Sequence, residues 1–348
     1  MKKMRFIIVG SGWRSLFYVR IAKNLPEHFE LSALLCRSQE KAEKISNEEN
    51  LHTTTSIEEC VNLKPDFVVV TVNKASIFNV SLDWLKRGFK VLCETPVVFS
   101  KEKLLELKEL PENLKSNLFV AEQYKYFATN QAILKILQKN LIGEPSFVNI
   151  SLTNDHHAAS LIREFLQEKT ETECKIKKKI FSFPTREFMN RYERFTDGRI
   201  GEKKRGLFLF EFADGKTAAY DFDSEQYRSP IRNSFIKIQG PTGEIFNEKV
   251  TWLDSNTQVH EGKIVVTNET VTSEYKNPNL HQFEKIQKIV FEMEGKSETL
   301  YENPFPKARL NEDETAIAEL MLKITDASEE FQKTNLENAI RDAEMALE

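Results

Sequence analysis

Gly10-Ser11-Gly12-Trp13-Arg14-Ser15 directly follows the uncharged, branched run at residues 6–9, and residue types in this order suit the holding of a phosphate. Gly10 permits a tight turn and Gly12 the close approach of a pyrophosphate, whose charge then rests on unpaired amides at the positive end of a helix. Ser15 stands where such fingerprints usually carry a third glycine, and a small residue there still lets helix and strand pack closely. Arg37 and Ser38 follow the next apolar run and Cys36, at the place that reads the adenosine ribose. An acidic residue there would bond a free 2′-hydroxyl and repel a 2′-phosphate, whereas a guanidinium and a hydroxyl offer charge and donors to that phosphate. The choice of residues points to NADP, with NAD as the alternative. Arg14 could add a second cation, and Ser38 equally suits the N-cap of the helix that follows. The remaining chemical group is His157, an imidazole able to exchange a proton near neutral pH, or else a capping or packing residue in a first helical turn.

The elements that must position these groups are legible as alternating patterns. Trp13, Leu16, Phe17, Ile21 and Leu25 recur on one helix face behind the glycine turn. Strands are expected at 6–9, 29–35, 67–72, 90–94 and 118–123. Between them, helices are expected from Ser38, from a capping box at Ser56 to Glu59, over 76–86 ending at Gly88, and over 100–110. This alternation predicts an N-terminal doubly wound parallel sheet of the Rossmann kind, with its ligand at the carboxyl ends of the strands: Gly10, Arg37, Thr71 to Asn73, Glu94 and Gln123. The pattern then changes. A helix at 129–140, a turn at Gly143-Glu144-Pro145, a strand at 146–152 and a helix at 155–167, with Leu161, Ile162, Phe165 and Leu166 inward, lead into hairpins. These pair 206–212 with 216–222 across Asp214-Gly215, and 234–239 with 244–250 across Pro241-Thr242-Gly243. The reading is an α/β chain: a dinucleotide-binding domain at 1–124, an α+β substrate and oligomerisation domain with a mostly antiparallel sheet at 125–310, and C-terminal helices at 311–348 packing back on the body. Asn303-Pro304-Phe305-Pro306 is read as a rigid return turn. The C-terminal helices are placed at 313–327 and 335–347, the second opened by a capping box from Thr334 to Glu337.

A net charge of −4 gives no support to nucleic-acid binding, and no apolar run approaches the length of a membrane span. Met1-Lys2-Lys3 imitates the start of a signal peptide, but the short apolar run behind it implies no export. Cys36, Cys60, Cys93 and Cys174 lack metal-type spacing and read as reduced thiols of a cytoplasmic protein. His156 and His157 diverge on a helix and the other histidines are scattered, so no metal is expected. No serine or cysteine sits in a hydrolase elbow. Lys175 to Lys179 reads as an exposed sheet face, and Asp221 to Tyr227 as a solvated loop, with Tyr227 and Arg228 reaching substrate if it turns inward.

Glu94-Thr95-Pro96, taken with the glycine turn and with His157-Ala158-Ala159-Ser160-Leu161-Ile162-Arg163, resembles the Gfo/Idh/MocA family of glucose-fructose oxidoreductase, inositol dehydrogenase and related enzymes. The resemblance implies a Rossmann domain joined to a mostly antiparallel α/β domain, NAD or NADP as cofactor, and sugars, polyols or related compounds as substrates. It implies that Thr71, Asn73, Glu94 and Gln123 line the cofactor beside Thr95, and that copies assemble as homodimers or homotetramers through the sheet of the second domain. Two departures stand out. Thr95 replaces the lysine that many relatives use in proton transfer, and Thr153 replaces an acidic residue one helical turn before His157. His157 can still take the proton of a hydroxyl, with Lys125 and Tyr124 as groups to stabilise developing alkoxide charge. Asp155 suits orientation of a histidine or an N-cap. The expected function is an NADP-dependent oxidoreductase transferring hydride between nicotinamide and a sugar, polyol or related small polar substrate. The alternatives are a relative that binds ligand without turnover, and a reductase of imines or double bonds.

Overall fold

The branched run ahead of the glycine turn is the central strand of a six-stranded parallel sheet with order β3-β2-β1-β4-β5-β6. Its elements are β1 (Met4–Val9), α1 (Ser15–Asn24), β2 (Phe29–Leu35), α2 (Gln39–Glu49), β3 (Thr53–Thr54), α3 (Ile57–Asn62), β4 (Phe67–Val70), α4 (Ile77–Lys86), β5 (Val91–Cys93), α5 (Lys101–Lys108), α6 (Glu112–Lys115) and β6 (Leu118–Val120). The computed structural model describes residues 3–168, 172–190, 193–273, 275, 281–325 and 328–347. Two units are present, Met1–Tyr126 with Lys307–Leu347, and Phe127–Pro306.

Helices on both faces explain why residues 6–9 of β1 and the whole of β4 carry no charge: Ile7, Ile8, Val68 and Val69 are wholly inaccessible to solvent. Phe6 and Phe67 stack across the strand pair with ring centroids 5.3 Å apart. The sheet order reverses between β1 and β4, which opens the crevice where such sheets bind ligands. The C-terminal segment completes this unit through helices Glu312–Thr325 and Glu329–Leu347. Arg20 on α1 forms a buried ion pair with Glu314 and donates to Arg309 O at 3.1 Å. Asn335 covers the free edge of β6. Its Oδ1 accepts from Val120 N at 2.8 Å and its Nδ2 donates to Val120 O at 3.2 Å, so one amide stands in for a neighbouring strand.

The second unit runs α7 (Ala128–Gln138), β7 (Phe147–Ser151), α8 (Asp155–Leu166), β8 (Cys174–Arg186), β9 (Ile200–Phe212), β10 (Thr217–Asp223), β11 (Phe235–Gly240), β12 (Gly243–Phe246), β13 (Lys249–Leu253), β14 (Val259–Thr272), β15 (Gln282–Met293) and β16 (Lys296–Glu302). Among the described residues these form a ten-stranded sheet, antiparallel except where β7 and β10 run parallel. Leu161, Ile162, Phe165 and Leu166 of α8 are buried as the spacing predicts. Lys175, Lys177 and Lys179 lie exposed on β8, the expected sheet face.

Several local expectations give way to tertiary structure. The strand expected at 244–250 breaks at Asn247, which adopts φ 51° and holds Ile236 N with its Oδ1 at 2.9 Å, so β12 and β13 form a hairpin. Ser56 caps α3 by accepting from Glu59 N, but Ser56 N donates to Thr54 Oγ1, so the box does not close on Glu59. The last helix starts at Glu329, capped by Ser328, and Thr334 lies within it with Oγ1 donating to Glu330 O at 2.8 Å. Residues 326–327 of the helix expected at 313–327 lie outside the described residues.

Asn335→Ala strips Val120 N of its partner at a buried edge, while Val120 O keeps the donation of Glu122 N at 2.9 Å. An orphaned backbone N–H costs about 1–3 kcal/mol, so urea unfolding should show a loss of about 1–3 kcal/mol with an unchanged slope. A loss within experimental error of zero would refute the edge-covering role.

Candidate functional site

The glycine turn has the two properties a phosphate cradle needs, for two separate reasons. Gly10 has φ +114°, and a Cβ on it would lie 2.8 Å from Thr71 O, so the end of β4 leaves room only for glycine. A Cβ on Gly12 would meet nothing within 4 Å, so this position keeps space open at the start of α1. Ser15 N and Leu16 N donate to Gly12 O and Trp13 O at 3.1 and 3.3 Å, tightening the first turn. Ser15 Oγ also donates to Gly12 O, at 2.6 Å, which lets a buried serine fill the third-glycine position. Trp13 packs edge-on against Phe17, with centroids 4.6 Å apart. An open backbone position facing the amino end of a helix fits a pyrophosphate.

At the end of β2, Arg37 is exposed. Ser38 caps α2, its Oγ accepting from Lys41 N at 3.4 Å. Burial pushes the Cys36 thiol upward, offset partly by the Ser11 hydroxyl and by the charge of Lys41. Ser11 therefore stands beside Cys36, and the charge of Lys41 acts on the same thiol. Lys41 escaped the sequence reading. Its signal was its place in the first turn of the helix that Ser38 opens.

Over β5 and β6 the structure corrects the role given to Arg14. Its guanidinium does not extend toward the adenosine end as a second cation. Nε donates to Glu94 Oε1 at 2.8 Å, and Nη1 and Nη2 donate to the two oxygens of Asp313 at 2.7 and 3.2 Å. Burial draws this guanidinium's pKa down, but the Asp313 and Glu94 carboxylates outweigh burial and hold it well above its ordinary value. Tyr18 donates its hydroxyl to Glu94 Oε1 at 2.6 Å, and burial followed by that carboxylate keeps it protonated. Gln123, 4% exposed, donates from Nε2 to Asp313 Oδ1 at 3.0 Å, while its Oε1 has no hydrogen-bond partner among the described residues. An orphaned buried acceptor beside a sheet's carboxyl edge fits a ligand that brings an N–H. Thr71 is buried, with Oγ1 donating to Val9 O at 3.3 Å. Asn73 is exposed and its Oδ1 accepts from Ser76 N at 3.2 Å, at the start of α4. Thr95 is half-buried between Glu94 and Pro96. Asp313 and Tyr18 lay beyond sequence reasoning, because nothing local marks a residue whose partners are distant in the chain.

Residues 4–122 match the oxidoreductase family Gfo/Idh/MocA, described as having an NAD-binding Rossmann fold. An oxidoreductase from Thermotoga maritima is similar at 16% identity with a TM-score of 0.63, covering 99% of this chain and 95% of that one. An oxidoreductase from Agrobacterium radiobacter in complex with NAD+, L-tartaric acid and magnesium is 13% identical with a TM-score of 0.62, covering 99% and 94%. The WlbA dehydrogenase of Chromobacterium violaceum in complex with NADH and UDP-GlcNAcA is 17% identical with a TM-score of 0.53, covering 71% and 74%. At these identities the likeness establishes fold. No curated protein matches the sequence.

In the first unit the segment beyond β6 is a 3-10 turn, Tyr124–Tyr126. Lys125 Nζ lies 5.6 Å from the centre of the Tyr126 ring, and Lys323 Nζ lies 4.5 Å from it. Glu122 accepts from Tyr124 N at 3.1 Å. Burial raises its carboxyl to about 8, against the opposing pull of the Tyr124 N–H and Lys125, with Glu94 and Asp313 adding to the rise.

In the second unit His157 is buried on α8, its ring 4.1 Å centre to centre from that of His156. Asp155 does not cap α8, whose N-cap is Asn154; its Oδ1 instead accepts from the Tyr220 hydroxyl at 2.9 Å. Thr153 Oγ1 shares a 3.0 Å hydrogen bond with the Tyr227 hydroxyl, which also accepts from Asn154 N at 2.9 Å. Tyr227 thus ties down the start of the helix, and the Arg228 guanidinium lies 5.8 Å from its ring. Nor is 221–227 a solvated loop. Asp223 and Glu225 are buried, Arg205 donates to Asp223 at 2.6 Å, and Asp223 with Gln226 closes a capping box on a 3-10 turn.

The raised pKa of Glu122 makes a stability prediction. An unfolded carboxyl ionises near its usual 4.5 and the folded one near 8, so the folded chain holds the extra proton in between. Stability from this group is present below 4.5 and is lost as pH rises through 8. Thermal midpoints of Glu122→Gln should match the wild type near pH 5 and exceed it by pH 8.5. A constant difference between the two proteins across that range would exclude the assignment.

Proposed function

We propose that the chain is an NADP-dependent oxidoreductase that moves a hydride between nicotinamide and a small polar substrate of the sugar or polyol class. The observation that carries this is an open cradle at Gly12 combined with Arg37 and Ser38, rather than a carboxylate, at the end of β2. When bound, the nicotinamide supplies the hydride acceptor or donor. The backbone from Gly10 to Arg14 holds the pyrophosphate, Arg37 with Lys41 and Ser38 holds the 2′-phosphate, and Thr71, Asn73, Glu94, Thr95 and Gln123 border the rest. His157 exchanges the substrate proton, with Lys125 and Tyr124 favouring negative charge on the reacting oxygen. The Agrobacterium complex with NAD+ and tartaric acid and the WlbA complex with NADH and a nucleotide sugar support this class of ligand.

Thr95 and Thr153 favour one second reading, reduction of an imine or double bond, because neither hydroxyl replaces the amine or carboxylate that alcohol oxidation draws on. Exposed Leu207 and Leu209 on β9, with Phe181 on β8, support self-association through the open sheet face as a homodimer or homotetramer. Three buried free thiols, and the absence among the described residues of a helix long and apolar enough to cross a membrane, support a cytoplasmic enzyme.

Calorimetric titration should give tighter binding of NADP+ than of NAD+. Arg37→Ala should weaken NADP+ about ten- to a hundredfold, the worth of a charge-assisted contact, and leave NAD+ within twofold. Preference for NAD+ in the wild type, or equal losses in the variant, would overturn the 2′-phosphate assignment. Polyol, sugar, carbonyl and imine pools screened with both cofactors identify the substrate. His157→Ala should then lower turnover by about 10²- to 10⁴-fold while cofactor affinity holds. Undiminished turnover would remove His157 from the chemistry.

A further inference from the structure

The amide of Gln123 can face only one way, and Asp313 is the reason. A carboxylate accepts hydrogen bonds and donates none, so the amide nitrogen must face Asp313 Oδ1, 3.0 Å away, and the amide oxygen must face the opposite direction. That oxygen is buried without a partner. Asp313 is itself immobilised, since both of its oxygens accept from the forked guanidinium of Arg14, which also donates to Glu94 at the end of β5. In a doubly wound sheet the two ends of a dinucleotide lie over the two halves of the strand order. With the ribose-reading position at β2 and the pyrophosphate turn at β1, the nicotinamide end falls over β4, β5 and β6. Gln123 follows the last of these strands. The carboxamide of nicotinamide carries an NH2, the group an orphaned amide oxygen lacks.

We propose that Asp313, in the first turn of the C-terminal helix Glu312–Thr325, is a positioning residue for the nicotinamide carboxamide. It holds the Gln123 amide with its oxygen presented as acceptor and thereby makes the C-terminal segment part of the cofactor site. The proposal rests on the dinucleotide reading above and uses only residues of the first unit.

Binding of two ligands tests it: NADPH, and 2′-phospho-ADP-ribose, which keeps the adenosine end and pyrophosphate but has no nicotinamide. In Asp313→Asn the neighbour can donate as well as accept, so the Gln123 amide is free to flip. NADPH affinity should fall about tenfold while the fragment stays within twofold. Asp313→Glu, an acceptor only, should restore most of the difference. Gln123→Met should show the same selective loss, and combining it with Asp313→Asn should add little. Should Asp313→Asn fail to fold, Gln123→Met and Asp313→Glu decide the matter. Equal shifts for both ligands, or none, would overturn the role of Asp313 while leaving the dinucleotide site standing. A wild-type protein that binds neither ligand would overturn both.

Discussion

A half-buried guanidinium held between two carboxylates joins segments of the first unit that are 80 and 299 residues apart in the chain. Arg14 cannot leave this arrangement cheaply. A buried charge stripped of one partner is strongly destabilising, even where the intact pair adds little net stability. The consequence is geometric. The start of α1, the end of β5, the residue after β6 and the first turn of the Glu312–Thr325 helix are all referred to one planar fork. The glycine turn therefore has a rigid neighbour on the side away from Arg37 and Ser38.

The same unit shows how a late segment becomes part of an early fold. The parallel sheet ends at β6 with unpaired backbone groups, and Asn335 satisfies both directions of bonding at Val120. Arg20 and Glu314 form a second buried pair between α1 and the C-terminal segment. These polar contacts set the register between distant parts of the chain, which apolar packing alone specifies less sharply. Glu122 illustrates the cost. Its carboxyl is raised to about 8 because so much of its surroundings is already buried or negative.

In the second unit, Thr153 takes part in a local hydrogen-bonded cluster at the start of α8. The Tyr227 hydroxyl meets Thr153 and the Asn154 amide, and Tyr220 meets Asp155, so the turn that carries His157 is held by two tyrosines from the β10 region. A polar stretch that reads as solvated is instead folded inward, because Asp223 caps its own 3-10 turn and pairs with Arg205. Local polarity was a poor guide there, since charges that find partners can be buried.

Periodicity was sufficient for β1, β4, α4, α7 and α8, whose apolar residues recur at the spacing of the face they bury, and for the turn at Gly10, whose required φ only glycine tolerates without strain. The parallel first sheet, the mostly antiparallel second one and the position of the glycine turn follow from the same local rules. Periodicity says nothing of long-range partners. Whether Arg14 faces the adenosine end or Asp313, whether Thr334 opens a helix or lies within one, and which way the Gln123 amide points depend on groups far away in the chain. Hydrogen bonds and ion pairs are directional and non-local, so their geometry exists only once the elements have packed. The chain's own order determined the scaffold and the types of group on it; tertiary contact decided which of those groups remained available to a ligand.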